Sequence, residues 1–158
     1  MPTPRKHTPP GVQHAPLELE HFLPYRLSIL SNTISQGIAD DYQKRYDLSV
    51  TEWRVMAVLA RFAGLSAREV AERTAMDKVA VSRALARLVE AGRVSRHMHN
   101  FDKRRSVLDL TEEGWAIHDV VAPMARAREA AVLEKLSEDE RVWLVRILDR
   151  LQDRNKSE

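Results

Sequence analysis

The sequence predicts an all-α fold that carries one small β-hairpin. Apolar residues recur every three or four positions along most of the chain, which is the period of an amphipathic helix. Helix-capping patterns of the type Ser-x-x-Glu begin at Ser49, Ser66 and Ser137. The period changes to two at residues 94–99, where polar and apolar side chains alternate as they do in a strand.

Composition excludes several classes of protein. The 158 residues are 44% hydrophobic and 30% charged, which is typical of a globular protein. No apolar run approaches the roughly 18 residues that span a membrane. Cysteine is absent, which excludes disulfides and thiolate metal sites and suits a reducing cytoplasm. No P-loop, H-E-x-x-H or dinucleotide fingerprint is present, so we expect neither an enzyme nor a cofactor.

The N-terminal third is predicted to contain a tail and two helices. Residues 1–16 hold five prolines and read as a flexible tail. Residues 18–45 have the spacing of a long helix, in which Pro24 marks either a kink or the start of the longer part. The capping box at Ser49 opens a second helix that stops near Gly64.

Two short helices and a hairpin form the middle of the chain. Residues 66–75 and 78–91 are predicted helices, with Asp77 as the N-cap of the second and Gly92 following its end. Two short strands then enclose the polar tip at residues 100–104. This order of elements indicates a winged helix-turn-helix at residues 48–111, which is a DNA-binding architecture.

Charge is concentrated in the same region. Residues 66–105 hold ten Lys and Arg against five acidic residues, although the net charge of the whole chain is only +2. A basic region within a nearly neutral chain is typical of a surface that meets a polyanion. An ordinary amphipathic helix with a solvated charged face is the alternative, but the basic hairpin tip favours DNA because folding does not require its charges.

We expect helix 78–91 to read bases and its neighbours to bind the backbone. Arg83 is a candidate for a bidentate contact with guanine, Ser82 for a base or phosphate contact, and Val79 for a thymine methyl. Arg68 is placed to meet phosphate, and an arginine at the hairpin tip suits the narrow minor groove. The predicted DNA-binding residues are Arg68, Lys78, Val79, Ser82, Arg83, Arg87, Asp102, Lys103, Arg104 and Arg105, where Asp102 accepts from Arg104 or Arg87.

Three segments resemble the MarR family of bacterial regulators. They are Leu48–Val55 (LSVTEWRV), Met76–Ala84 (MDKVAVSRA) and Asp102–Gly114 (DKRRSVLDLTEEG). The resemblance covers about residues 18–152 and implies a homodimer that reads a pseudo-palindrome, with Asp102 and Arg104 in the wing roles. Ala80 departs from the pattern, since many relatives have Ser or Thr there.

Long flanking helices support the dimer independently of the resemblance. Residues 17–47 and 112–155 form the predicted dimerisation region, in which Pro123 is the weak point of a long helix over 112–136. The last helix is expected to bury Val142, Leu144, Val145, Leu148 and Leu151. These helices have more apolar surface than a small winged domain can cover. The alternative is that they fold back on their own domain.

The family resemblance also implies a small-molecule effector, often aromatic and anionic. The residues that correspond to its cleft are Tyr25, Arg26, Ser28, Ser31, Trp53, Met56 and His118. Arg26 is expected either to pair with a carboxylate or to be an exposed arginine beside core residues. The stretch Phe22–Leu27 resembles a subgroup that controls the catabolism of aromatic acids, sometimes through their coenzyme A thioesters.

These observations predict a cytoplasmic transcriptional regulator that binds double-stranded DNA, associates with the nucleoid when bound, and has no membrane partner. We expect a repressor that a small effector releases from its operator. The alternative is an architectural DNA-binding protein without sequence preference or effector. His97 and His99 lie on one face of a strand, but no third ligand is near, so we expect no metal site.

Overall fold

The computed structural model describes residues 14–101 and 105–153. It confirms an all-α fold with a small antiparallel hairpin. The elements in chain order are α1 (Leu23–Tyr46), α2 (Val50–Arg61), α3 (Ala67–Thr74), α4 (Lys78–Glu90), β1 (Val94–Met98), β2 (Ser106–Leu110), α5 (Glu112–Leu133) and α6 (Glu138–Asp153). The predicted tip residues Asp102, Lys103 and Arg104 lie outside the described residues. The described residues fall into two compact units, which divide between Thr33 and Ile34.

The first unit is described from residue 14 and contains the N-terminal part of α1. The helix begins at Leu23 rather than at residue 18, because Pro24 occupies its first turn. Proline is tolerated in the first turn of a helix, since its fixed φ suits the helix and the N–H groups of that turn have no intrahelical acceptor. Pro24 therefore marks the start of the helix and does not kink it. Residues 14–33 are all exposed, and they include several large apolar side chains.

In the second unit, polar side chains set the beginning of each central helix. Ser49 and Ser66 both form complete capping boxes, with Glu52 and Glu69 respectively. Asp77 Oδ1 accepts hydrogen bonds of 3.0 Å from the backbone N–H groups of Val79 and Ala80. All three caps agree with the sequence prediction, because capping depends on neighbours within one turn.

The core of this unit lies where α2, α3 and α4 pack against one another. Val55 and Leu59 of α2 meet Val70 of α3 and Leu85 and Leu88 of α4, and all five are fully buried or nearly so. Val89 is exposed, because it lies one position beyond the buried face of α4.

The hairpin joins the core through its second strand. Val94 pairs with Leu110 and Met98 with Ser106, which fixes an antiparallel register. On the other side of β2, the backbone N–H of Leu108 donates to the carbonyl of Leu65 at 2.8 Å. The hairpin is therefore anchored to the segment that leads into α3.

The two C-terminal helices differ in how they are covered. Ile117 and Val121 of α5 are buried in the core, and the helix continues through Pro123 to Leu133. The apolar residues of α6 were predicted to be buried, but the single chain leaves Val142, Leu144, Val145, Leu148 and Leu151 between 37% and 58% exposed. Across the described part of the chain, no helix is both long and apolar enough to cross a membrane.

Gly114 in the first turn of α5 permits a close approach between that helix and the turn before β1. A Cβ atom at this position would overlap the carbonyl oxygen of Arg93. The same carbonyl accepts a hydrogen bond of 3.1 Å from the backbone N–H of Thr111. Thr111 also donates its hydroxyl to the Gly92 carbonyl at 2.6 Å. Helix α5 therefore begins directly against the end of the α4–β1 connection.

We predict that Gly114→Ala lowers the free energy of unfolding by about 3 kcal/mol, because backbone must move to admit the methyl group. Gly37→Ala is the matched control, since nothing in the described chain lies within 4 Å of a Cβ there. That change should stabilise α1 by roughly 0.5–1 kcal/mol. Urea denaturation of both variants measures the difference, and equal stabilities would contradict this packing.

Candidate nucleic-acid interface

Helix α4 has a buried face and an exposed face. Val81, Ala84, Leu85 and Leu88 are buried against α2 and α3. The opposite face is exposed and presents Ala86 together with five residues predicted to meet DNA: Lys78, Val79, Ser82, Arg83 and Arg87. A rigid helix with one buried face and one basic face can enter a groove without disturbing the core.

The exposed face of α4 offers different chemistry along its length. Lys78 and Val79 lie in the first turn, next to the N-cap Asp77. Ser82 and Arg83 lie one turn further on. Within the described ranges, no carboxylate forms an ion pair with Lys78 or Arg83. These side chains can therefore donate hydrogen bonds to an external acceptor without first breaking an internal contact.

Arg87, near the end of α4, is held by carboxylates of the same unit. Its Nε lies 3.0 Å from Oε1 of Glu52, and a second contact of 4.0 Å reaches Asp47. The side chain of Glu52 is only 4% exposed, whereas that of Arg87 is 59% exposed. Asp102, the partner predicted for Arg87, lies outside the described residues. The pair with Glu52 ties α4 to the first turn of α2.

Arg68 in the first turn of α3 is exposed, as predicted. Its Nε donates to Oε1 of Glu72, one turn later, at 2.8 Å. Both side chains are more than half exposed, so the pair is weak and easily exchanged for a phosphate contact.

Arg105 follows the hairpin tip and is paired with α3. Its Nη2 donates to Oε1 and Oε2 of Glu69 at 2.8 and 2.6 Å. Glu69 also accepts from the backbone N–H and the hydroxyl of Ser66, both at 2.8 Å. These Ser66 bonds, and then Arg105, lower the pKa of Glu69 to about 2. The carboxylate is therefore ionised across the neutral pH range.

Apart from Arg105, the described part of the hairpin presents an aromatic side chain, histidines and a further arginine. Arg96 on β1 is exposed. His97 Nε2 lies 3.4 Å from Oδ2 of Asp109, and His99 Nδ1 accepts from the N–H of Phe101 at 3.3 Å. The Phe101 side chain is 96% exposed. The hairpin surface thus combines an exposed arginine with an exposed aromatic side chain.

The residues predicted to bind an effector fall into both units. Tyr25, Arg26, Ser28 and Ser31 belong to the first unit, where they are exposed on α1. Trp53 and His118 belong to the second unit and stack with ring centroids 5.7 Å apart. Met56 is fully buried in the core, so this structure does not present it to a ligand. The structure therefore offers a cation in one unit and an aromatic surface in the other.

Sequence reasoning missed two residues of this surface, Glu52 and Glu69. Their positions in the capping boxes were predicted, but their pairing with Arg87 and Arg105 was not. The partners are 35 and 36 positions away along the chain. No local pattern indicates such contacts, although a carboxylate beside a basic segment is a general signal for an ion pair.

Comparison with known proteins agrees with this geometry. A family model described as MarR family matches residues 46–105. The HTH-type transcriptional repressor YetL of Bacillus subtilis (strain 168) is 30% identical over 119 residues, which cover 74% of this chain and 71% of YetL.

Solved structures show the same fold. A MarR/EmrR family transcriptional regulator from Acinetobacter sp. ADP1 is 26% identical with a TM-score of 0.80, covering 90% of this chain and all 100% of that one. BpsR from Bordetella bronchiseptica is 20% identical with a TM-score of 0.75, covering 88% and 99%. Together with the sequence matches, the exposed basic helix and the hairpin beside it lead to one conclusion. The chain belongs to the MarR family of transcriptional regulators, which bind DNA through a winged helix-turn-helix.

Proposed function

We propose that this regulator recognises a specific operator, with α4 in the major groove and the hairpin in the neighbouring minor groove. The observation that carries the proposal is the exposed face of α4, on which Arg83 and Ser82 are presented by a helix whose other face is fully packed. A major groove admits an α-helix and displays a distinct pattern of acceptors for each base pair. The role is regulatory, and no catalytic group takes part in it.

The contacts divide into those that read bases and those that bind the backbone. We assign base reading to Val79, Ser82 and Arg83. We assign phosphate contacts to Arg68 and Lys78, and the minor-groove contact to Arg104 with Lys103 beside it. Asp102 accepts from an arginine and holds it in position. Arg87 and Arg105 border the same surface while paired with Glu52 and Glu69.

Two arginine variants test this division. Binding duplexes are first selected from a random-sequence library with the wild-type protein, and affinities are measured by fluorescence anisotropy. Arg83→Ala should cost roughly 1–3 kcal/mol and relax the preference at one position of each half-site, whereas Arg68→Ala should weaken all sequences alike.

An unchanged base preference in Arg83→Ala would contradict the assignment of base reading. Failure of the wild-type protein to enrich any sequence would favour an architectural DNA-binding protein instead. The DNA affinity of such a protein depends on the salt concentration but does not differ between duplexes of different sequence.

We further propose that the regulator acts as a homodimer in which α6 takes part. The stripe of Leu144, Ile147, Leu148 and Leu151 recurs at helical spacing and is exposed in the single chain. Monomeric proteins rarely expose a contiguous apolar surface of this kind. Two copies related by a twofold axis present two α4 helices to two half-sites.

Leu148→Asp should convert a dimer of twice 18.1 kDa into a monomer of 18.1 kDa by light scattering. Leu148 is 40% exposed, so the charge should not disturb the core of the single chain. Arg150→Gln is the matched control, because it changes the charge by the same amount on the opposite side of α6. Dissociation of both variants, or of neither, would contradict the assignment.

We also propose that a small aromatic acid, or its coenzyme A thioester, releases the repressor from its operator. BpsR of Bordetella bronchiseptica has its DNA binding regulated by 6-hydroxynicotinic acid. In this chain, Arg26 of the first unit offers a guanidinium for a carboxylate. In the second unit, the stacked rings of Trp53 and His118 offer an aromatic surface, with Trp115 edge-on to His118 at 5.3 Å.

Calorimetry and DNA-release assays with hydroxycinnamates, benzoates and their coenzyme A thioesters test the effector. Arg26→Gln should lower the affinity for the acid about tenfold, which is the effect expected for the loss of a charge-assisted hydrogen bond. Lys44→Gln makes the same charge change elsewhere on α1 and should leave the affinity for the acid unchanged. No binding by any compound of the panel would refute this effector class.

A further inference from the structure

The two capping carboxylates of the central helices share an arrangement that their capping role does not require. Glu69 closes the capping box of α3 and binds Arg105 beside the hairpin. Glu52 closes the capping box of α2 and binds Arg87 of α4. In each case one carboxylate joins the first turn of a packed helix to an arginine of an element that meets DNA in the proposed function.

The contacts of Glu69 are divided between its two oxygens. Oε2 accepts from the N–H and the hydroxyl of Ser66 and from Nη2 of Arg105, whereas Oε1 accepts from Arg105 alone among the described residues. The helix N-terminus favours a negative charge at this place. Arg105 therefore meets a carboxylate that Ser66 already holds in a fixed orientation.

Arg105 occupies a position from which it can control the hairpin. It directly precedes β2, and its carbonyl accepts from the N–H of His99 at 2.8 Å, next to the end of β1. Its side chain reaches α3, which packs against α4. The ion pair thus links the outer end of the hairpin to the helix-turn-helix by a route separate from the Leu65–Leu108 bridge.

We propose that Glu69 is a positioning residue for DNA recognition, which acts through Arg105 to hold the hairpin at a fixed distance from α4. The inference rests on the proposed function, because it concerns how the hairpin and α4 engage DNA together. The effect of removing the Glu69 charge on DNA affinity should then have the opposite sign to that expected from electrostatics alone. Removal of a negative charge near DNA should strengthen binding, whereas loss of this positioning should weaken it.

Glu69→Gln separates capping from positioning. The glutamine oxygen can replace Oε2 in the capping box, where Gln is as suitable as Glu. Its amide NH2 then replaces Oε1 and faces Nη2 of Arg105, donor against donor, while the oxygen in place of Oε2 keeps only an uncharged contact with the same Nη2. The charge-assisted pair that holds Arg105 is therefore lost. Glu72→Gln is the matched control, because it removes the same charge from the same helix without a contact to the hairpin.

The probe is the fluorescent duplex selected by the wild-type protein. Glu69→Gln should bind it about fivefold more weakly, the factor expected for a well-formed exposed ion pair. Glu72→Gln should bind as tightly as wild type or more tightly. Hydroxyl-radical footprints should lose protection in the minor groove for Glu69→Gln, while methylation protection of guanine N7 in the major groove persists. Loss of the fold would remove both protections together.

Arg105→Gln completes a double-mutant cycle. If Glu69 acts through Arg105, then adding Glu69→Gln to the Arg105→Gln variant should change its DNA affinity no more than Glu72→Gln changes that of the wild type. The proposal is overturned if Glu69→Gln binds as tightly as Glu72→Gln, or if its loss of affinity persists without Arg105. Failure of the wild-type protein to select a sequence would refute the proposed function instead, so the two failures are distinguishable.

Discussion

The burial of one stripe of α4 is the constraint on which the rest of the structure depends. Leu85 and Leu88 are fully buried between α2 and α3, so the helix cannot rotate without exposing them. Burial of a leucine side chain is worth roughly 1.5–3 kcal/mol, and rotation would forfeit it twice. The same constraint turns Ser82 and Arg83 outward. Packing within the chain therefore determines which side chains α4 exposes, and so which of them the proposed base reading can use.

Charge pairing complements this packing at its edges. The core fixes the rotation of α4, but it does not reach the outer end of the hairpin. There Glu69, which already caps α3, also holds Arg105. In the same way Glu52, which caps α2, holds Arg87 near the end of α4. A capping carboxylate has lost its conformational freedom to the cap, so it holds a second partner at little further entropic cost. The basic surface is consequently ordered by acidic residues within it.

Local patterns predicted most of the fold, and tertiary contacts account for what they missed. The caps at Ser49, Ser66 and Asp77 were predicted because each involves residues within a single turn. The early start assigned to α1 was wrong, because apolar spacing continues before Pro24 while the helix does not. The exposed face of α4 was predicted from its period, but the partners of Arg87 and Arg105 were not, since nothing local encodes a contact 35 residues away. The apolar face of α6 was predicted to be buried, and in the single chain it is exposed.

The central claim is that two α4 helices, related by a twofold axis, read one sequence together. The most direct test is the affinity of the wild-type protein for its selected duplex when the spacing between half-sites is altered. Recognition helices of such dimers lie about one helical turn apart, and inserting about five base pairs rotates one half-site to the far side of the duplex. Affinity for the altered duplex should fall to that for random DNA. Equal affinity at both spacings would contradict joint reading by two α4 helices.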